Sequence, residues 1–468
     1  MAERPEAAAQ PVADAPADAA AGDTGVLALV GAGAVVLGPE EPGALRHATW
    51  DHLRVTTGVG VGVEGGRVAL VGPDADVRDW YGERAHRGTG APVHRELIEC
   101  GGRLVTAGLV DAHTHALFGA PRLDDHARRA RGDDYKAIAA AGGGILQSMR
   151  DFRARSEDEL VALGAARLGW VAALGTTTVE IKSGYGLEPD AELRALRAIC
   201  RLSSLAPISV VSTFLGAHEV PPEYRPRREA WVRLLVEELI PRVGVERLAE
   251  FCDVFCEPGV FSLEESEAIL LAARAAGLGL KVHADELDPY GGAELAARLG
   301  ATSADHLGAI SAAGVEALAA SDTVAVILPG TLVFLGQARH APARALVDAG
   351  AVVAVATDFN PGSSPSANLP LMMALAVSQA RRQPAEAFAA ATVNAASAIG
   401  RGADGGRIRA GGAADLVVWN CRDPRELAYW YGMPLAWRVY ASGFACHAPE
   451  PTVSSSGWRS DPLSPPSS

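Results

Sequence analysis

The sequence predicts an α/β fold: a (β/α)8 TIM-like barrel with a small composite β-domain built from N- and C-terminal segments. Three observations carry that expectation. Between Thr106 and Asp358, eight short apolar runs alternate with Ala- and Leu-rich helical stretches, and eight βα units in about 300 residues is the size of such a barrel. Short β-like pieces with Gly and Pro punctuation flank that region on both sides. Metal-competent side chains also recur at one place, the C-terminal end of an apolar run: His113, His115, His283, His306 and Asp358. In a barrel of this type that end carries the active site.

Residues 1–24 are Ala, Pro and Asp with few large apolar groups, and are expected to form a disordered tail. Residues 25–105 open the small β-domain, with strands expected at 27–30, 55–63, 67–71 and 97–104. The barrel, residues 106–402, has strands expected at 106–113, 176–182, 207–217, 251–256, 278–284, 301–306, 323–328 and 351–358. Between them, Ser156 with Glu159 and Ser262 with Glu265 have capping-box spacing ahead of apolar-periodic runs, so helices start there. After a helical stretch at 387–399, β character returns at 405–408, 414–419 and 437–440, and residues 403–449 are expected to complete the small β-domain. The Pro/Ser-rich stretch 450–468 reads as a second disordered tail.

No uncharged apolar run reaches about 18 residues, and no basic segment followed by an apolar core opens the chain, so a soluble cytoplasmic protein is expected. The net charge of −14 disfavours nucleic acid or an anionic membrane as partner and says little about a substrate's charge, because a local arginine can override the average. Cys100, Cys200, Cys252, Cys256, Cys421 and Cys446 are scattered, mostly in apolar contexts, and read as reduced core thiols. Lysine occurs only at 136, 182 and 281; almost every other basic residue is arginine.

In an extended chain alternate side chains face one way, so His113 and His115 can converge on one ion. On a helix they would diverge by about 200°. A catalytic zinc-like ion takes three or four N/O ligands and keeps a position for water; His113, His115, His283 and Asp358 supply that set from strands one, five and eight. Asp358 can both touch the ion and accept the water proton, and Glu286, just after His283, is suited to ferrying a proton to a leaving nitrogen. His306 could stabilise an oxyanion or steady the water. Taken singly, each has a blander reading as a core histidine, a turn aspartate or a solvated loop glutamate. Polar loops at 183–186, 216–219 and 360–364 lie just beyond strand ends, and the last is rich in backbone N–H groups able to approach a carboxylate. Arg122 could hold an acidic substrate group by a bidentate contact.

These residues stand in longer motifs: Asp-Ala-His-Thr-His at 111–115, Ala-Gly-Gly-Gly-Ile at 141–145 and Lys-Ser-Gly-Tyr-Gly-Leu at 182–187. Thr-Phe-Leu-Gly-Ala-His-Glu at 213–219, Lys-Val-His-Ala-Asp-Glu at 281–286 and Thr-Asp-Phe-Asn-Pro-Gly-Ser at 357–363 complete the set. With them the chain resembles the amidohydrolase superfamily over nearly all of residues 26–445, and within it the branch that opens an imidazolone ring in histidine degradation. The resemblance implies hydrolysis of 4-imidazolone-5-propanoate to N-formimidoyl-L-glutamate on one Zn2+ or Fe3+ ion per chain, and a possible homodimer. It implies His113, His115, His283 and Asp358 as metal ligands, Arg122, Tyr185, His218 and Glu286 as substrate contacts, and His306 as a helper near the ion. Asn360, Gly362 and Ser363 match positions near the product's glutamate end. Two-metal relatives bridge their ions with a carboxylated lysine ending strand four. Here that strand ends in Cys256-Glu257-Pro258 and Lys182 falls on strand two, so one metal is expected. Ala120-Pro121 before Arg122 is a departure from the pattern that bears on where this arginine lies. The alternatives are a one-metal purine or guanine-type deaminase, a two-metal cyclic amidase, and a non-catalytic barrel scaffold; the first would have less use for Arg122 together with 360–363.

Overall fold

The computed structural model describes residues 25–85, 94–133, 138, 142–337 and 340–448; the tails expected at 1–24 and 450–468 lie outside the described residues. Eight strands lie side by side in chain order: β1 (Leu109–Asp111), β2 (Thr176–Lys182), β3 (Ser209–Ala217), β4 (Phe251–Cys256), β5 (Gly279–Ala284), β6 (Ser303–His306), β7 (Val324–Ile327) and β8 (Val353–Val355). Every neighbouring pair is parallel, and helices cross between them. The strands are almost wholly buried, as parallel strands with both faces covered must be. The two expected capping boxes form: Ser156 heads the helix Glu157–Ala173 and Ser262 heads Leu263–Ala275, each with reciprocal bonds to the glutamate three residues on.

The barrel closes beyond the ends of β8 and β1. The Asp358 N–H donates to the His113 carbonyl and the His115 N–H to the Phe359 carbonyl, both at 3.0 Å. Two segments that carry candidate ligands are thereby stitched to each other. Asp111 secures the same seam, its carboxyl accepting the Thr357 N–H at 3.0 Å and the Thr357 hydroxyl at 2.6 Å. Burial pushes the Asp111 carboxyl up to about 7, against the pull of those two bonds. Its folded pKa lies above its unfolded one, so the folded state prefers the proton. The contribution to stability is therefore present below about pH 4 and is lost as pH rises through about 7. Relative to wild type, Asp111→Asn should gain stability across that window, by up to a few kcal/mol; denaturant midpoints of both proteins at pH 4.5 and pH 8 would check it.

The small β-domain consists of two sheets. One orders its strands Arg67–Pro73, Val59–Glu64, Val26–Val30 and Arg95–Glu99. The other runs Phe444–His447, Ala436–Ala441, Leu416–Trp419, Leu104–Ala107, Ala34–Val36 and Val55–Thr56, so it combines segments from both sides of the barrel. Leu27, Val61 and Ile98 from the first sheet and Val105, Leu416 and Tyr440 from the second share one core. Three expected strands are each divided, the one at 55–63 into Val55–Thr56 of the second sheet and Val59–Glu64 of the first. The run at 97–104 is broken by a turn at Gly101-Gly102, whose φ of 62° and 78° suits glycine. The run at 106–113 is broken at Gly108, where hydrogen bonding passes from Asp415 of the small domain to Gly175 of the barrel. A Cβ on Gly108 would lie 2.0 Å from the Thr177 hydroxyl, so only glycine lets the chain cross there.

Candidate metal centre at the barrel mouth

Past β1 the chain stays extended, Thr114 bridging in parallel to Phe359, so His113 and His115 face the same way. Their Nε2 atoms lie 3.7 and 3.6 Å from Asp358 Oδ1. The ligand atoms of His113, His115 and Asp358 lie within 4.8 Å of one another, and so do those of His113, His283 and His306. His113 and His283 have ring centroids 4.6 Å apart. Four residues at the ends of β5, β6 and β8 hold left-handed backbone: Asp285 (φ 49°), His306 (76°), Leu307 (60°) and Asp358 (52°). Such strain persists only where the surroundings over-determine it, and it collects at functional sites.

The donor set fits a divalent metal ion. Nε2 of His113 and Nε2 of His283 are buried and meet no hydrogen-bond partner among the described residues, a costly state for a polar atom unless a ligand completes it. Burial presses His113, His115 and His306 well below the usual histidine range, so they are neutral with lone pairs to give. His113 Nδ1 lies 2.6 Å from Asp305 Oδ2, and His283 Nδ1 lies 3.0 Å from Asp253 Oδ2. A carboxylate behind a ligating imidazole fixes its tautomer and turns the other nitrogen toward the ion. Burial pushes His283 down, but Asp253 outweighs it, and the net direction is up. Asp358 Oδ2 accepts the Thr331 hydroxyl at 2.6 Å.

Beneath the histidines, Lys182 Nζ sits 2.7 Å from both Glu180 Oε1 and Asp253 Oδ2 and 3.7 Å from Asp305 Oδ2. These three carboxylates overcome the burial that would discharge it and hold it above the usual lysine range. Lys281 Nζ donates to the Ala398 carbonyl at 3.0 Å and the Ala112 carbonyl at 3.3 Å. Asp253, Asp305, Thr331 and the counter-ion role of Lys182 were missed by sequence reasoning, although a signal was present. In an arginine-rich chain, two of the three lysines stand inside apolar strand runs, and Asp253 interrupts the apolar run 251–256.

On the open side, His115 stacks on His218 at 5.1 Å, and Tyr185 lies 5.9 Å from His115 and 5.7 Å from His218. His218 Nδ1 faces the Gly184 carbonyl at 3.0 Å, and burial presses the ring down to about 3, so it is neutral. The Glu192 carboxylate accepts the N–H groups of Gly184 and Leu187 and thereby fixes the loop that carries Tyr185. Glu257 does the same for the backbone of Glu286, Leu287 and Asp288. Glu286 Oε2 lies 3.5 Å from His306 Nδ1. Burial, then the charge of Asp358, pushes the Glu286 carboxyl up to about 8.

Arg122 anchors its Nε on the Ser148 hydroxyl at 2.8 Å and lies flat against Gly362, where a Cβ would come 2.3 Å from its Nη1. The loop at 360–364 differs from expectation in one respect. The N–H groups of Gly362 and Ser363 both donate to Asn360 Oδ1 at 2.8 Å, so the chain's own amide oxygen fills the N–H cradle expected to face a carboxylate. Short polar side chains at turns commonly capture nearby N–H groups in this way. The pocket therefore brings together neutral imidazoles, an acceptor carboxylate, a carboxyl poised to hold a proton, and an arginine, a set suited to hydrolysis at a ring C–N bond.

The model of the Amidohydrolase family matches residues 119–428, a span that contains His283, His306 and Asp358 and begins just past His115. The imidazolonepropionase of Bacillus velezensis is 45% identical over 406 residues, covering 87% of this chain and 92% of that protein. That of Symbiobacterium thermophilum is 46% identical over 421 residues, covering 89% and 96%. Among solved structures, an adenosine deaminase from Xanthomonas campestris with bound zinc aligns over 90% of this chain and 92% of its own with a TM-score of 0.62; at 20% identity the likeness is one of fold.

Proposed function

The chain belongs to the amidohydrolase family, among its imidazolonepropionases, and from that premise we propose that it hydrolyses 4-imidazolone-5-propanoate to N-formimidoyl-L-glutamate. The observation that carries the reading is the convergence, in one barrel mouth, of a His/Asp donor set with Glu286 and an arginine that has no carboxylate partner among the described residues. His113, His115, His283 and Asp358 would hold one Zn2+ or Fe3+ ion, with His306 beside them. The ammonium of Lys182, ringed by carboxylates, supports a single ion over a lysine-bridged pair.

When bound, such an ion supplies Lewis-acid chemistry that makes water reactive near neutral pH. Asp358 Oδ1 is the acceptor for the water proton, held in place by the Thr331 bond to Oδ2. Glu286, raised to about 8, holds a proton near neutral pH and can pass it to the leaving ring nitrogen. Tyr185 and His218 would contact the ring. Arg122 would hold the propanoate, and Asn360, Gly362 and Ser363 would shape the wall on which Arg122 lies. The cytoplasm is the proposed compartment: all six cysteines are free, and no helix of the described residues is long and apolar enough to cross a membrane.

Loss of ultraviolet absorbance from freshly generated 4-imidazolone-5-propanoate tests the assignment. Turnover well above the spontaneous rate is expected, and its absence in metal-loaded protein refutes the reading. Arg122→Ala should raise KM by roughly 10- to 100-fold with a much smaller change in kcat, the loss of one charge-assisted contact.

A further inference from the structure

Arg122 precedes the helix Leu123–Ala130 and Arg129 stands in its last turn, about two turns apart and hence on one face. Both reach the same residue of the loop after β8. The Arg122 guanidinium lies on the bare face of Gly362, and Arg129 Nη2 donates to the Gly362 carbonyl at 3.4 Å. The Arg129 guanidinium also sits over the Phe334 ring, 5.6 Å from its centroid. Its Nη1 is buried and meets no acceptor among the described residues. Asp125, one turn back along the helix, accepts the Gly144 N–H at 2.8 Å; its charge still acts on Arg129, but burial outweighs it and the net direction is down. Two like charges therefore converge on one glycine, and neither forms an ion pair with a carboxylate among the described residues, in a chain whose net charge is −14. Because Asn360 takes the loop's N–H groups, the guanidiniums are the donors left in that corner.

We infer that Arg129 is a second carboxylate-binding residue, forming with Arg122 a two-guanidinium site that makes an acidic side chain on the ring a requirement for binding. The inference rests on the proposed function for the identity of the ring but not for the carboxylate. A buried donor without a partner costs free energy that an anionic ligand would recover, and paired forks match a carboxylate's two oxygens.

Calorimetric binding of 3-(imidazol-4-yl)propanoate and of its primary amide to the metal-loaded protein tests the idea without turnover. Wild type should prefer the acid by tenfold or more. Arg129→Gln should remove most of that preference and raise KM for the imidazolone substrate about tenfold, with kcat much less affected. An acid-to-amide ratio unchanged within twofold in Arg129→Gln would overturn the inference and make Arg129 a clamp for the Gly362 loop. If Arg129→Gln melts well below wild type, Arg129→Lys decides. It keeps the charge and loses the fork, so a threefold or larger fall in acid preference supports the site and an unchanged ratio overturns it. Acid preference that depends on Arg129 in a protein with no imidazolone turnover would sink the functional reading and leave the carboxylate site standing.

Discussion

Asp358→Asn is expected to fold and to lose at least about a thousandfold in kcat. The two oxygens of this carboxylate have separate tasks. Oδ2 is engaged by the Thr331 hydroxyl at 2.6 Å, while Oδ1 faces the Nε2 atoms of His113 and His115 at 3.7 and 3.6 Å. An asparagine can keep the threonine bond and the left-handed backbone, which Asn tolerates well. It cannot present an anionic ligand or accept a proton. Burial raises the Asp358 carboxyl, against the Thr331 bond that lowers it, in the site without its ion. Single-turnover ultraviolet decay, with metal content measured on the same sample, reads the outcome. A variant that retains metal and stays within tenfold of wild type would remove Asp358 from the proton-transfer role. Thr331→Ala, which frees Oδ2 and leaves Oδ1 alone, should cost far less.

What could be read from the sequence here was whatever local periodicity expresses. The H-x-H pair was legible because an extended chain sets its geometry, and the strand ends were legible because each apolar run stops at a polar residue. The division at Gly108 was not legible, because it depends on the contact with Thr177, which lies far along the chain and outside anything a local strand pattern encodes. The 360–364 loop was misread for a related reason. Composition shows how many N–H donors a segment has, but not that Asn360 will fold back and accept them. The carboxylates behind the histidines were hidden because Asp305 reaches His113 across the barrel and Asp253 reaches His283 from the neighbouring strand, at sequence separations of 192 and 30 residues. Arg129 was passed over as one arginine among many, since nothing local distinguishes a guanidinium whose buried Nη1 meets no acceptor among the described residues.

Lys182→Met is expected to lower the unfolding free energy by about 3–5 kcal/mol, although it exchanges a buried charge for an apolar group of similar length. Apolar replacement of a whole buried ion network is often harmless, but removal of its one central cation is not. Glu180, Asp253 and Asp305 would remain in the barrel interior, with side chains 0% exposed and their nearest ammonium gone. Lys281, 3.9 Å from Asp305, cannot serve all three while it holds the Ala112 and Ala398 carbonyls. The damage should reach the site, because Asp253 and Asp305 orient His283 and His113. Metal affinity should fall by about 10- to 100-fold, as when a ligand's supporting partner is lost. Adding Glu180→Gln to Lys182→Met removes one of the stranded charges and should restore part of the stability, a non-additivity that a merely steric effect of methionine would not produce. Denaturant midpoints for the four proteins of that cycle give the answer. A single variant within about 1 kcal/mol of wild type, with no coupling to Glu180→Gln, would mean that the carboxylates are neutral in the fold and that Lys182 is not what holds the histidines in position.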